Sequence, residues 1–280
     1  RGSALAFATA RLARLWPALA VSVLATVAVG AFVTTAPGLS YFGGATARFV
    51  LGNLSLSSGH YLLTGILCGG VPCNVNGSLW TIPWEVRCYL LLLLLFVTGL
   101  SSPAAMKRLV LPATLTFALA MDVPQVQAAI AAAAGKGVLW NLTMIDRLWS
   151  MFALGIAAYL FRDRIRLSWA ACAGLLALVV LSAWLLPVPH LSGIFVGYAV
   201  LCAGFLSARG GAISGRWPDY SYGMYIYAFP VMMAIAALLP VRHHGQLAVL
   251  NALVTLPLAA LSWHGVEKPV LDLTRRRRTP

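Results

Sequence analysis

The chain has 280 residues, of which 60% are hydrophobic and only 10% charged, with a net charge of +13. A soluble domain carries about 25% charged residues, so a water-exposed surface of this size could not be covered by so few. A mean hydropathy of +0.85 also excludes a soluble nucleic-acid binder. The basic excess reads instead as the Lys/Arg bias that membrane proteins keep in cytoplasmic loops.

Crossing a hydrocarbon core about 30 Å thick takes about 20 apolar residues in a helix. Eight stretches approach that requirement: 15–34, 79–99, 108–122, 143–161, 168–186, 191–208, 221–240 and 246–266. The sequence therefore predicts an all-α polytopic transmembrane helix bundle, treated as a single domain over 1–280. Place the N-terminal segment in the cytoplasm and alternate sides along the chain. Then Arg1, Arg11, Arg14, Lys107, Arg108, Arg162, Arg164, Arg166, Arg209, Arg216, Lys268 and Arg275 to Arg278 fall inside, fifteen of the twenty basic residues. The reverse orientation violates the positive-inside rule, so both termini are expected to be cytoplasmic, with membrane lipid as a partner.

Between the first two spans, 35–78 holds Pro37-Gly38, Gly43-Gly44, Gly69-Gly70 and Pro72. Such a segment is either a surface loop or non-helical backbone lining a cavity. Cys68 and Cys73 are close enough for a short disulfide if the loop faces an oxidising compartment. Cys88, Cys172 and Cys202 read as small hydrophobes in apolar segments. Asn53, Asn76 and Asn141 head Asn-x-Ser/Thr patterns, to which no function attaches. Further on, the Ala-rich run 128–134 reads as an external interfacial or packed helix.

Four stretches carry chemistry. Arg11-Leu12-Ala13-Arg14 puts two guanidinium groups on one helix face at the cytoplasmic mouth, suited either to anchoring or to phosphate. Ser78-Leu79-Trp80-Thr81-Ile82-Pro83-Trp84-Glu85-Val86-Arg87 sets Glu85 and Arg87 inside a span, where ionisable groups need partners. They are too close to pair with each other across a helix turn, so each is expected to bond to another helix. Trp80 and Trp84 serve as interfacial anchors or as a stacking surface for a sugar. The third stretch, Asp219-Tyr220-Ser221-Tyr222-Gly223-Met224-Tyr225-Ile226-Tyr227, gathers hydroxyls at the start of one helix, as an aromatic belt or a polar interior. In the fourth, Trp263-His264-Gly265-Val266-Glu267-Lys268-Pro269 then Arg275 to Arg278, Glu267 is expected to pair with a neighbouring cation. Arg275 to Arg278 anchor to anionic lipid. The sequence shows no metal-ligand spacing, Walker loop, dinucleotide fingerprint or nucleophile elbow, and no metal site is expected.

Taken in order, these stretches resemble membrane-bound acyltransferase family 3, which includes bacterial O-acetyltransferases of surface polysaccharides. Ser78-Leu79-Trp80-Thr81 with Glu85 is similar to that family's Ser-Leu-Trp-Thr-x-x-x-Glu signature. Arg11 and Arg14 match its Arg-x-x-Arg element, Ser221 to Pro230 its late-helix signature, and Val266-Glu267-Lys268-Pro269 the end of its last span. The resemblance implies a multi-pass enzyme of the bacterial cytoplasmic membrane. It would move an acyl group, usually acetyl, from cytoplasmic acetyl-CoA to a hydroxyl of a glycan or glycolipid acceptor, without a bound cofactor. Glu85 would be catalytic, Arg11 and Arg14 would engage the acyl-CoA, and Ser78, Trp80, Tyr222, Tyr225 and Tyr227 would line the substrate cavity. Family members have ten spans, and an Arg-x(10)-His element in the first supplies the base or acyl relay. The eight spans here correspond to that bundle without its first two, and none of His60, His190, His243, His244 and His264 matches that histidine. The alternative reading is a non-catalytic carrier or a degenerate partner subunit.

Overall fold

A computed structural model describes residues 3–57, 59–68, 70–185, 190–206, 218–240 and 243–276. Arg1, Arg209, Arg216, Arg277 and Arg278, used in the topology reading, lie outside the described residues. The helices are α1 (Ala4–Val33), α2 (Gly44–Leu54), α3 (Ile82–Val97), α4 (Pro103–Met121), α5 (Pro124–Ala134), α6 (Lys136–Leu160), α7 (Trp169–Leu185), α8 (Leu191–Leu206), α9 (Ser221–Leu238) and α10 (His244–Arg276). A short antiparallel hairpin, β1 (Leu67–Cys68) with β2 (Val71–Pro72), pairs Leu67 with Pro72 and Cys68 with Val71. Single 3-10 turns occupy Gly38–Phe42 and Gly77–Thr81.

A helix stands at each of the eight predicted spans, and the fold is all-α as expected. Among the described residues five helical segments are long and apolar enough to cross a membrane: α1, α3 with its preceding 3-10 turn, α4, α9 and α10. The apolar α7 and α8 are shorter, at 17 and 16 residues, and α6 carries Asp146 and Arg147 in its middle turns. The Ala-rich connector forms α5, which has no buried residue. Large apolar side chains such as Leu5, Leu24, Phe32, Leu94, Leu119, Leu181, Val200 and Leu253 face outward. Lipid accepts such a surface and water does not.

Two compact units are formed, Arg1–Tyr89 with Pro218–Pro280, and Leu90–Trp217. In the first, α1 starts at Ala4, not at 15, because Ser3 Oγ accepts a hydrogen bond from the Ala6 amide at 3.0 Å and caps the helix. Arg11 and Arg14 consequently stand about two to three turns inside α1. Leu15, Ala18, Leu19, Ser22, Val23, Thr26, Val27 and Gly30 are buried, the three-and-four spacing of a single helix face. Gly30 leaves room for Tyr41, whose hydroxyl donates to the Val27 carbonyl at 2.7 Å. Gly223 of α9 lies against the backbone of Ala259 in α10, where a β-carbon would meet Ala259 Cα at 2.9 Å. Between α1 and α3 the Pro/Gly-rich segment is packed, with Tyr41, Phe49, Leu63 and Leu79 in the core. Thr64 and Thr46 tie its limbs together at 3.0–3.2 Å. Cys68 and Cys73 form a disulfide across the hairpin, while Cys88, Cys172 and Cys202 are buried free thiols.

In the second unit, Trp149 Nε1 of α6 donates to Thr114 Oγ1 of α4 at 3.0 Å. Tyr198 of α8 donates to the Arg166 carbonyl at 2.7 Å and accepts from the Ser168 amide at 3.0 Å, tying α8 to the lead into α7. The two units share a local device. Met106–Val110 in α4 and Trp263–Glu267 in α10 are π-turns, closed by Leu111 N–H to Met106 O and by Lys268 N–H to Trp263 O. Each is followed two residues later by a proline, Pro112 and Pro269. A proline ring collides with the carbonyl four residues back in a regular helix, and widening the turn before it relieves the clash.

Candidate functional site

The first unit brings all four chemistry-bearing stretches together, and a proline organises the meeting. Pro230 lies inside α9 and has no N–H, so the Ile226 carbonyl loses its helical donor. Two side chains replace it: Ser22 Oγ of α1 at 3.3 Å and Asn76 Nδ2 at 2.9 Å. Asn76 is fully buried, and its Oδ1 accepts from the Ser78 amide at 3.2 Å, capping the 3-10 turn that begins at Gly77. Tyr225 Oη then donates to the Ser78 carbonyl at 2.6 Å and lies 2.6 Å from Thr81 Oγ1. The end of the 35–78 segment is thus non-helical backbone packed on α9, with its polar groups satisfied by protein.

Glu85 sits in the first turn of α3 and accepts from the Tyr89 hydroxyl at 2.5 Å. The Arg11 guanidinium lies 5.2 Å over the Tyr89 ring and 5.3 Å over that of Phe7, a cation–π arrangement. Tyr89 therefore links Arg11 to Glu85. The Arg87 guanidinium stacks 4.1 Å over Trp84, and Nη2 is 3.4 Å from the Ser57 carbonyl it donates to. Partners on other helices were expected for Glu85 and Arg87. Tyr89, four positions on, takes that role for Glu85, and for Arg87 it is shared by Trp84, three positions back, and the Ser57 carbonyl outside α3.

Arg14 is the centre of a second cluster. Its Nη2 is 2.6 Å from Asp219 Oδ2 and its Nη1 is 3.2 Å from Glu267 Oε2, while Trp263 and Tyr222 flank the guanidinium at 5.4 and 5.9 Å. Glu267 is fully buried, and its Oε1 accepts from Ser262 Oγ at 3.1 Å. The expected partner of Glu267 was a nearby cation, and the structure corrects this to Arg14. The extra residue of the π-turn rotates the end of α10 by about 100° around the helix axis, which turns Glu267 inward. Asp219 Oδ1 accepts from both the amide and the hydroxyl of Ser221. Burial pushes the Asp219 carboxyl up, but the Ser221 hydrogen bonds and the Arg14 charge outweigh it, holding the group below the usual carboxylate range.

The remaining predicted residues differ in their surroundings. Tyr222 is buried and donates to the Leu15 carbonyl at 2.9 Å, and Tyr227 is buried with its hydroxyl 3.5 Å from Ser262 Oγ. Trp80 is 43% exposed. His264 lies 3.1 Å from the Tyr220 hydroxyl. Sequence reasoning assigned no role to Asn76, Tyr89 or Asp219. The Pro230-to-Ile226 offset was the readable signal for Asn76, since a helical proline announces a carbonyl in need of a donor.

No family model matches the chain, and no solved structure does. The chain is similar to an O-acetyl transferase of Shigella phage Sf6, 26% identical over 282 residues, covering 95% of this chain and 77% of that protein. The match thus takes in nearly the whole of both units.

A cavity of about 440 Å³ lies wholly within the second unit, lined among others by Asp122, Gln127, Thr143, Asp146, Arg147 and His190. His190 Nε2 is 3.4 Å from Asp146 Oδ2 and 3.6 Å from Asp122 Oδ1. No sequence pattern pointed to this set, because its members come from the end of α4, the middle of α6 and the start of α8.

Proposed function

We propose that the chain is an O-acyltransferase that moves an acetyl group from acyl-CoA to a hydroxyl of a cell-surface or lipid-linked glycan. The likeness to an O-acetyl transferase over 95% of the chain supports acetyl transfer in general. One structural observation carries the finer reading: Tyr89 joins Glu85 to Arg11 in the same helical unit in which C-terminal carboxylates meet Arg14, one turn further along α1. In this reading Glu85 is the catalytic carboxylate, held by Tyr89 and oriented toward the acceptor hydroxyl. Arg11 and Arg14 are both on the donor side, with different duties. Arg14 is already answered by two carboxylates, so it positions α1 against α9 and α10. Arg11 has no carboxylate within ion-pair distance among the described residues, so it meets the phosphates of the donor. Ser78, Trp80 and Tyr225 border the acceptor side, and the multi-pass chain sits in a bacterial cytoplasmic membrane with basic ends inside.

The test is mass spectrometry of surface glycans from cells with the intact gene, with Glu85→Gln, and without the gene. O-acetyl groups present only with the intact gene are expected. Acetylation that persists with Glu85→Gln removes the carboxylate from the chemistry, and glycans identical in all three strains remove the proposed reaction.

A further inference from the structure

We propose that Asp122, Asp146 and His190 form a binding site for a divalent transition-metal ion of the Zn²⁺, Co²⁺ or Mn²⁺ class. One nitrogen and two carboxylate oxygens, one atom from each residue, lie within 4.8 Å of one another. Three independent features of the second unit point to a cation between them.

The first is the imidazole. His190 Nε2 is buried and has no hydrogen-bond partner among the described residues, although both carboxylates stand 3.4 and 3.6 Å away. A buried ring nitrogen without a partner is costly. An imidazolium held by an aspartate would point its N–H along the line to one oxygen. Here neither separation closes as a hydrogen bond, which leaves the nitrogen available as a ligand. The second is spacing. Ligands at 2.0–2.1 Å around a tetrahedral ion lie about 3.3–3.4 Å apart, close to the two observed nitrogen–oxygen separations. The third is the preparation of the carboxylates. Asp146 has only 7% of its side chain exposed, and Ser150 Oγ donates to its Oδ1 at 3.3 Å, which leaves Oδ2 toward His190. Arg147 also lines the cavity but makes no ion pair with either aspartate among the described residues.

The donor set selects the class of ion. One imidazole with two carboxylates suits Zn²⁺, Co²⁺ or Mn²⁺, whereas Mg²⁺ and Ca²⁺ take oxygen ligands. Three protein ligands leave coordination positions facing a 440 Å³ cavity, room for water or for one hydroxyl-bearing ligand.

The experiment uses the full chain in lipid nanodiscs, purified without a polyhistidine tag and stripped with chelator. Isothermal titration with Zn²⁺ is expected to show one equivalent bound, with Mg²⁺ binding far more weakly. His190→Gln and Asp146→Asn should each weaken Zn²⁺ by at least about 10-fold, the scale on which disturbing a metal's ligand shell acts. X-ray absorption of the Zn²⁺-loaded wild type, which needs no variant to fold, should show one imidazole among oxygen ligands. Absence of stoichiometric binding by the wild type, a spectrum without imidazole, or unchanged affinity in folded His190→Gln would each overturn the proposal. None of these readouts depends on acyl transfer.

Discussion

The Arg14 guanidinium and the Glu267 carboxylate, 253 residues apart, meet at 3.2 Å with the carboxylate fully buried. A buried charge is tolerated when paired and is strongly destabilising when its partner is removed. Arg14→Met is therefore expected to lower stability by about 3–5 kcal/mol. The double change Arg14→Met with Glu267→Leu should recover most of that loss, since no buried charge is left orphaned and Asp219 keeps water and Ser221. Thermal unfolding of the four members of the cycle measures the coupling, and additive losses would refute it.

Asp219 makes the same cluster acid-sensitive. Its folded carboxyl is held below the ordinary value, which is about 3.9 in an unfolded chain. The stabilisation is thus fully present above that value and is lost as pH falls through the folded one. Asp219→Asn should melt below wild type at pH 6–7, and the two curves should converge as the pH drops below about 4. A constant gap across that range would show that the charge is not what Asp219 contributes.

Asn76 is expected to matter as a hydrogen-bond donor and not as a glycan acceptor. Asn76→Ala removes the shorter of two bonds to the Ile226 carbonyl and uncaps the turn over Gly77–Thr81. A loss of about 1–3 kcal/mol follows from leaving a buried polar group short of a partner. Hydrogen exchange localises the effect, with faster exchange expected in 77–81 and unchanged exchange in α7 and α8.

Tyr89→Phe separates positioning from packing at Glu85. The ring that carries Arg11 is kept, and only the hydroxyl bonded to Glu85 is lost. A hydrogen bond to a charged group contributes about 1.5–3 kcal/mol, so acetyl transfer should fall in kcat by about 10- to 100-fold with little change in KM for acetyl-CoA. Arg11→Ala should do the opposite, raising KM for acetyl-CoA more than it lowers kcat. Interchanged effects would reverse the roles assigned to the two residues.

The spans were legible because a run of apolar residues is a local signal. Even so, Arg11 and Arg14 broke the hydropathy of α1 and hid its first three turns, which Ser3 and helix geometry supply. The partners of Glu85 and Arg87 were also within reach, since residues three and four apart share a helix face. Glu267 was harder. Nothing local announces that Pro269 widens the preceding turn and redirects that side chain toward α1. The convergence of Asp122, Asp146 and His190 was beyond reading, because it depends on how three separate helices come together and not on any spacing along the chain.

The first unit is built from two stretches of chain, up to Tyr89 and from Pro218 onward, with the whole of the second between them. A ribosome therefore completes the second unit's share of the polypeptide before Ile226 or Glu267 exists. Until then Ser22, Asn76 and Arg14 wait in the nascent chain without the groups they will bind. For that interval a buried asparagine and a half-buried arginine must be sheltered by water, lipid headgroups or an insertion factor. Assembly of the Arg14 cluster is consequently a late event in biogenesis, and a chain halted before α9 would lack both its last two helices and the buried Glu267 that answers Arg14.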